Sequence, residues 1–135
     1  MLVPVESPAL DVASSRPSPV GLRRSGGHGN CVIVLPHWGD EGTARVTEEQ
    51  RRWARWFVQH GANAVVGSSP HVIQAHEYIE GVPVYYSVGN LWFRGSWPPE
   101  ARIAGLAYLG VDSAGRIVAP RIDALPGVAR SNGPN

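Results

Sequence analysis

The chain contains no lysine: all 12 of its basic residues are arginine, set against 11 acidic residues for a formal net charge of +1. A balance this even builds no extended positive field, which argues against nucleic acid or an anionic lipid surface as partner. The missing lysine goes with abundant Ala, Gly, Pro and Val and is read as a coding bias rather than as chemistry. Cysteine is nearly absent. The single Cys31 cannot close an internal disulfide, so nothing marks an oxidising compartment, and its place at the head of an apolar run suits a small buried hydrophobe. No run approaches the ~20 apolar residues that span a bilayer. The opening "MLVPVESPALDV" carries acids and prolines and no basic n-region, so no signal peptide is expected and the default location is cytoplasmic.

What is present suits one modest domain: 135 residues, 43% of them hydrophobic. Residues 1–30 mix Pro, Ser, Gly and Arg without a helical or strand period, and are expected to form a disordered arm. His28, between glycines there, reads as a solvated loop residue. Order is expected from 31 to 126, with 127–135 as a frayed tail. "CVIVLP" is a continuous apolar strand of the kind covered on both faces. "VTEEQRRWARWFVQHG" carries helix punctuation: Thr47 as N-cap, Gln50 completing a capping box, Glu48 and Glu49 at the positive end, and Gly61 at the stop. Trp53, Ala54, Trp56 and Phe57 form its apolar stripe, with Arg51, Arg52 and Arg55 on the outer faces.

"ANAVVG" is a second short strand, and strand, helix, strand in this order makes a right-handed crossover with parallel strands. Both strands then end on one edge, which places "PHWGDE" beside "GSSPH". Two hairpins are expected downstream, one turning at Glu80 and Gly81 and one at "DSAG", with Ile103–Val111 and Ile117–Ile122 as arms. The fold class is α/β: a strand-helix-strand unit followed by antiparallel hairpins.

His37 and His71 each follow a buried strand on the shared edge, each beside a proline. Imidazoles so placed suit a divalent ion such as Mn, Zn or Fe, or simply bond loop carbonyls. The nearby acids are Asp40, Glu41 and Glu77, and Glu41 reads as a ligand, as a partner orienting His37, or as a solvated carboxylate. His76 and Glu77 are adjacent on a strand, so at most one faces the site. Asn90, in the bend Ser87 to Asn90, either binds a substrate oxygen or closes its own turn. Tyr85, Tyr86, Trp92 and Phe93 read as core or groove wall.

Three stretches, "VIVLPHWGDE", "GANAVVGSSPHVIQAHEYIEGVPVYYSVGNLWF" and the spacing between them, resemble the CapA proteins, named for capsule and poly-γ-glutamate synthesis, whose fold is similar to that of calcineurin-like metallophosphoesterases. The family pattern is a histidine-tryptophan-glycine-x-glutamate loop, a helix, a glycine-x-histidine-proline-histidine loop, and a serine-leucine-glycine-asparagine-phenylalanine bend. The resemblance covers residues 31 to about 95 well and the final hairpin loosely. It implies that His37 and His71 stand at metal-site positions, that Glu41 matches the loop glutamate, and that Gly89 and Asn90 match the bend. It also implies a divalent metal cofactor and a phosphate-ester or γ-glutamyl-polymer substrate, with Asn90, Trp38 and Ser69 on the substrate side. Ser69 departs from the pattern, since the family has a histidine there. The chain resembles the carboxyl-terminal half of such a domain, over 31–126, without the amino-terminal half that carries further ligands.

Two readings follow. One is a metal-dependent hydrolase-type site in a capsule or poly-γ-glutamate biosynthesis protein, using His37, His71 and Glu41. The other is a non-catalytic fragment or binding module that pairs with a separate amino-terminal half or with itself.

Overall fold

The computed structural model describes residues 2–5, 31–94, 99–126 and 128–130. Its elements run β1 (Leu2–Val5), β2 (Ile33–Pro36), α1 (Glu48–Gln59), β3 (Ala64–Val66), β4 (His76–Ile79), β5 (Val82–Tyr85), β6 (Trp92–Arg94), a 3-10 turn (Pro99–Arg102), β7 (Ile103–Val111), β8 (Ile117–Pro126) and β9 (Val128–Arg130).

The helix forms where its punctuation predicts. Thr47 is the N-cap: its hydroxyl accepts from the Gln50 backbone N–H while the Gln50 side chain accepts from the Thr47 N–H, a complete capping box. At the other end His60 is the C-cap, its N–H bonding back to Trp56 and Phe57 carbonyls, and Gly61 takes φ +101°, a conformation that glycine adopts without strain. The His60 ring stacks on Trp56 at 3.9 Å, and its Nδ1 lies 2.7 Å from the Trp56 carbonyl. Thr47→Ala is expected to lower stability by about 1 kcal/mol by stripping the cap. Thermal unfolding followed by circular dichroism should show the midpoint fall by a few degrees, and an unchanged midpoint would mean that the cap contributes nothing.

Strands β2 and β3 pair in parallel, Ile33 opposite Ala64 and Val34 opposite Val65, with α1 as the crossover between them. Strand β5 continues the parallel set on β3, and β4 folds back antiparallel on β5. The hairpin between these two turns where expected: Glu80 and Gly81 both take positive φ, as a two-residue loop matched to strand twist requires. The five-stranded order is β1-β2-β3-β5-β4. Strands β7 and β8 form the second hairpin, with β8 running on to Pro126 beyond the predicted arm. Its turn is set by Asp112, whose carboxylate accepts from the backbone N–H of Arg116 and of Ala114. Those bonds, with the Arg116 side chain, hold the Asp112 carboxyl below its ordinary range.

Two terminal segments differ from the irregular arm and tail expected of them. Leu2–Val5 is a strand, parallel to β2 with Leu2 opposite Ile33 and Val5 opposite Pro36. The outer edge of β2 would otherwise leave a row of unpaired backbone groups, and Pro4 is tolerated because β1 is an edge strand. Residues 6–30, with His28, lie outside the described residues. Val128–Arg130 pairs in parallel with β6, while 127 and 131–135 lie outside the described residues.

The core forms where α1 meets one face of the sheet. Ala54, Phe57 and Val58 bury against Val34, Val65, Val84 and Tyr86, with Trp38, Trp53 and Trp56 half-buried around them. Phe57 sits amid the aromatic rings, with centroids 5.6–6.2 Å from Trp56, Trp53 and Trp38. This confirms the predicted stripe, with one change. Arg51 is not wholly on an outer face: its guanidinium pairs with Glu77 at 3.0 Å and lies over the Tyr86 ring. Nor is β2 covered equally on both sides among the described residues. Val34 and Pro36 are buried toward α1, whereas Leu35 on the alternate face is 38% exposed. Cys31 is half-buried rather than buried, and desolvation pushes its thiol above the ordinary range.

Candidate functional site

The carboxyl ends of β2, β3 and β5 face one edge, and the backbone carries their loops on side by side. His37 bridges Ser68 in a parallel pairing; the Trp38 N–H donates to the Ser68 carbonyl at 3.1 Å and the Ser68 N–H to the Pro36 carbonyl at 3.0 Å. Further along, the Gly42 N–H donates to the Pro70 carbonyl at 2.8 Å. The two loops therefore run in register well past their strands, which brings residues about thirty positions apart onto one surface.

Within the second loop the backbone is strained. Ser69 at φ +101° and His71 at φ +62° lie in the left-handed region that non-glycine residues rarely adopt, on either side of buried Pro70. Strain of this kind persists where the surroundings over-determine it, and it concentrates at functional positions. Its consequence here is the direction of His71. The ring Nδ1 lies 2.8 Å from Asn90 Oδ1, and Nε2 lies 4.0 Å from Glu41 Oε1. The His71 side chain is 15% exposed while that of Glu41 is 69% exposed, so the imidazole is held from within and the carboxylate reaches it from the solvent side.

His37 is exposed, with Nδ1 3.4 Å from the Ser68 hydroxyl. A hydroxyl both donates and accepts, so this contact leaves the His37 tautomer open. Glu41 stands next to His71, on the solvent side of its ring. Ser69 is half-buried in the same loop, and Asp40 is exposed.

Two residues near this edge serve the framework. Trp38, expected on the substrate side, stacks on Tyr86 at 5.8 Å, leans on Phe57, and donates its indole N–H to the Tyr86 carbonyl at 2.8 Å. Its donor is used and its ring closes the top of the core, so the role that the structure shows for it is packing. Glu77 turns toward α1, where it takes the Arg51 ion pair and the Tyr86 hydroxyl. Burial, together with that hydrogen bond and the Glu77 charge, raises the Tyr86 phenol well above the usual tyrosine range. His76, on the opposite face, stacks on Tyr85, as strand alternation requires.

One element was not legible in advance: the buried amide pair Gln50 and Gln74. Gln50 Nε2 donates to Gln74 Oε1 at 2.8 Å, and Gln74 Nε2 donates to the carbonyls of Thr43 at 3.0 Å and Arg45 at 2.9 Å. The same Gln50 amide fills the space beside Gly39, where a Cβ would come within 2.6 Å of it. The loop bearing Glu41 is thus tied to α1 and to the chain following His71. Gln50 was readable as a capping residue, but its second contact was not.

Imidazole nitrogen and carboxylate oxygen suit a divalent ion of the Zn or Mn type. The fit is partial. Among the described residues no group of three or more His, Cys, Asp and Glu side chains converges as a metal site; His71 and Glu41 meet at this edge, and His37 lies on the adjoining loop. No helix among the described residues is long and apolar enough to cross a membrane.

Known proteins are similar to this chain in sequence. A relative from Bacillus subtilis (strain 168), the PGA biosynthesis protein CapA, is 34% identical over 97 residues, which is 71% of this chain and 26% of that protein. The capsule biosynthesis protein CapA of Bacillus anthracis is 36% identical over 72 residues, 53% of this chain and 17% of that protein. The aligned part of the chain thus spans about a quarter or less of the length of these relatives. The family model for the bacterial capsule synthesis protein PGA_cap matches residues 21–94, a span that includes His37, Glu41, Ser69, His71 and Asn90. Since that match takes in more than half of the chain, the chain belongs to the PGA_cap family of bacterial capsule synthesis proteins.

Proposed function

We propose that the chain takes part in capsule or poly-γ-glutamate biosynthesis and contributes one side of a metal-dependent, hydrolase-type site. The observation that carries this reading is the arrangement at the sheet edge: a strained, inwardly anchored His71 facing Glu41, with His37 on the adjoining loop. His37 and His71 are the proposed ligands and Glu41 supports His71. A divalent ion held there would polarise a phosphate or acyl oxygen and activate water. The remaining ligands come from outside the described residues, and the substrate is an anionic small molecule or a glutamyl polymer.

Metal uptake tests it. Protein stripped with a chelator and dialysed against Mn²⁺, Zn²⁺ or Fe²⁺ is expected to retain an ion with His37 and His71 present, and to lose at least tenfold in affinity when both are alanine. Equal, substoichiometric uptake by the two proteins would overturn the metal reading. The second reading, a non-catalytic binding module, is favoured by Ser69 at a position where the family pattern has histidine, because a serine hydroxyl is a poor transition-metal ligand. On that reading a capsule phenotype survives the double alanine substitution.

A further inference from the structure

Asn90 reaches the site through His71. It follows β5 in the bend, directly after Gly89, whose φ of +67° turns the chain back toward the loop after β3. Gly89 has little room for a side chain: a Cβ would lie 2.6 Å from the Ile103 carbonyl oxygen. The Asn90 backbone is therefore held between the sheet and β7, and its amide is aimed at His71.

An amide oxygen only accepts hydrogen bonds. A 2.8 Å contact between Asn90 Oδ1 and His71 Nδ1 therefore requires the proton on Nδ1, and in the neutral ring the lone pair then sits on Nε2, the nitrogen on the Glu41 side. The Asn90 Nδ2 group is itself buried and has no hydrogen-bond partner among the described residues. Holding a donor in that state disfavours the fold, so the orientation is maintained by its other end. His37 offers the contrast, because its Nδ1 meets a hydroxyl at 3.4 Å that fixes no tautomer.

We propose that Asn90 is a positioning residue that locks His71 as the Nδ1–H tautomer and so presents the Nε2 lone pair toward Glu41. This rests on and deepens the site reading above, since Nε2 is then the nitrogen that His71, as a ligand, would offer to the ion. Its test needs no ion. Long-range proton–nitrogen NMR on uniformly ¹⁵N-labelled protein near neutral pH, with His71 assigned through His71→Gln, is expected to show Nδ1 protonated and Nε2 unprotonated in the large majority of neutral rings. Asn90→Ala should shift His71 to a majority Nε2–H population. Asn90→Asp, which keeps an acceptor at the same place, should restore Nδ1–H, a rescue that loss of packing would not produce.

A majority Nε2–H ring in the unsubstituted protein would overturn the proposal, as would an Asn90→Ala protein that keeps Nδ1–H. If Asn90→Ala does not fold, the unsubstituted protein and Asn90→Asp still decide. Weak metal uptake beside a confirmed Nδ1–H ring would count against the ion alone.

Discussion

Gly67→Ala is expected to remove a large share of the stability of the domain. Gly67 follows β3, and a Cβ there would lie 2.2 Å from the Tyr86 carbonyl oxygen and 2.4 Å from Trp38 Nε1. Those atoms are the acceptor and donor of the bond that fastens the His37 loop over the core. The backbone cannot retreat, because the Gly67 N–H donates to Tyr85 at 2.7 Å and its carbonyl accepts from Val88 at 3.2 Å. The methyl group must therefore displace Trp38 or part β3 from β5. Overpacking of this kind costs about 1–3 kcal/mol, occasionally more, and a buried carbonyl left without its donor adds roughly 1–3. A total of about 2–6 kcal/mol is a large share of the 5–15 typical of a domain. Urea unfolding followed by tryptophan fluorescence should show a strongly lowered midpoint. Gly42→Ala is the control: nothing lies within 4 Å of its Cβ position, but its φ of +74° limits the expected loss to about 1–2 kcal/mol of backbone strain. Equal midpoints for the two variants would refute the steric account.

Gln74→Leu should cost about 2–4 kcal/mol and act on the site as well as on the fold. The side chain is 4% exposed and makes three hydrogen bonds, one from Gln50 and two to the carbonyls of Thr43 and Arg45. Leucine fills similar volume and makes none of them. Gln50, 1% exposed, then keeps a buried N–H with no acceptor, whereas the carbonyl of exposed Arg45 can turn to water. The strand ladder does not depend on Gln74, so the loss should concentrate in residues 39–46, the loop that carries Glu41. Hydrogen exchange should speed up there at least tenfold while β3 and β5 remain protected. Uniform acceleration across the sheet, or none, would show that the amide pair does not anchor the loop.

Both predictions rest on contacts that no local pattern announces. The helix was legible because Thr47, Gln50, Glu48, Glu49 and Gly61 act within a turn or two of where they sit, and so was the Glu80–Gly81 turn. The parallel crossover followed from handedness, which needs only the order of the elements, and it placed the His37 and His71 loops on one edge. Strand β1 was missed because "LVPV" is too short to carry a period and is paired only because β2 offers an edge. Strand β9 depends on β6 in the same way. The Trp38 packing was not legible for a related reason: nothing local to a tryptophan in a polar loop announces the Tyr86 carbonyl that its indole meets.

By itself the sequence determined the helix, strands β2 to β5, the final hairpin, their order and the residue types at the strand ends, since these depend on short-range periodicity, caps and turn chemistry, while its motifs carried the family resemblance. Only the tertiary structure decided that Glu41 meets His71, that Asn90 meets the same imidazole, and that Gln50 and Gln74 join across the interior. Side-chain pairing between distant segments is set by distances of a few tenths of an ångström, and those exist only once the chain has closed around its core.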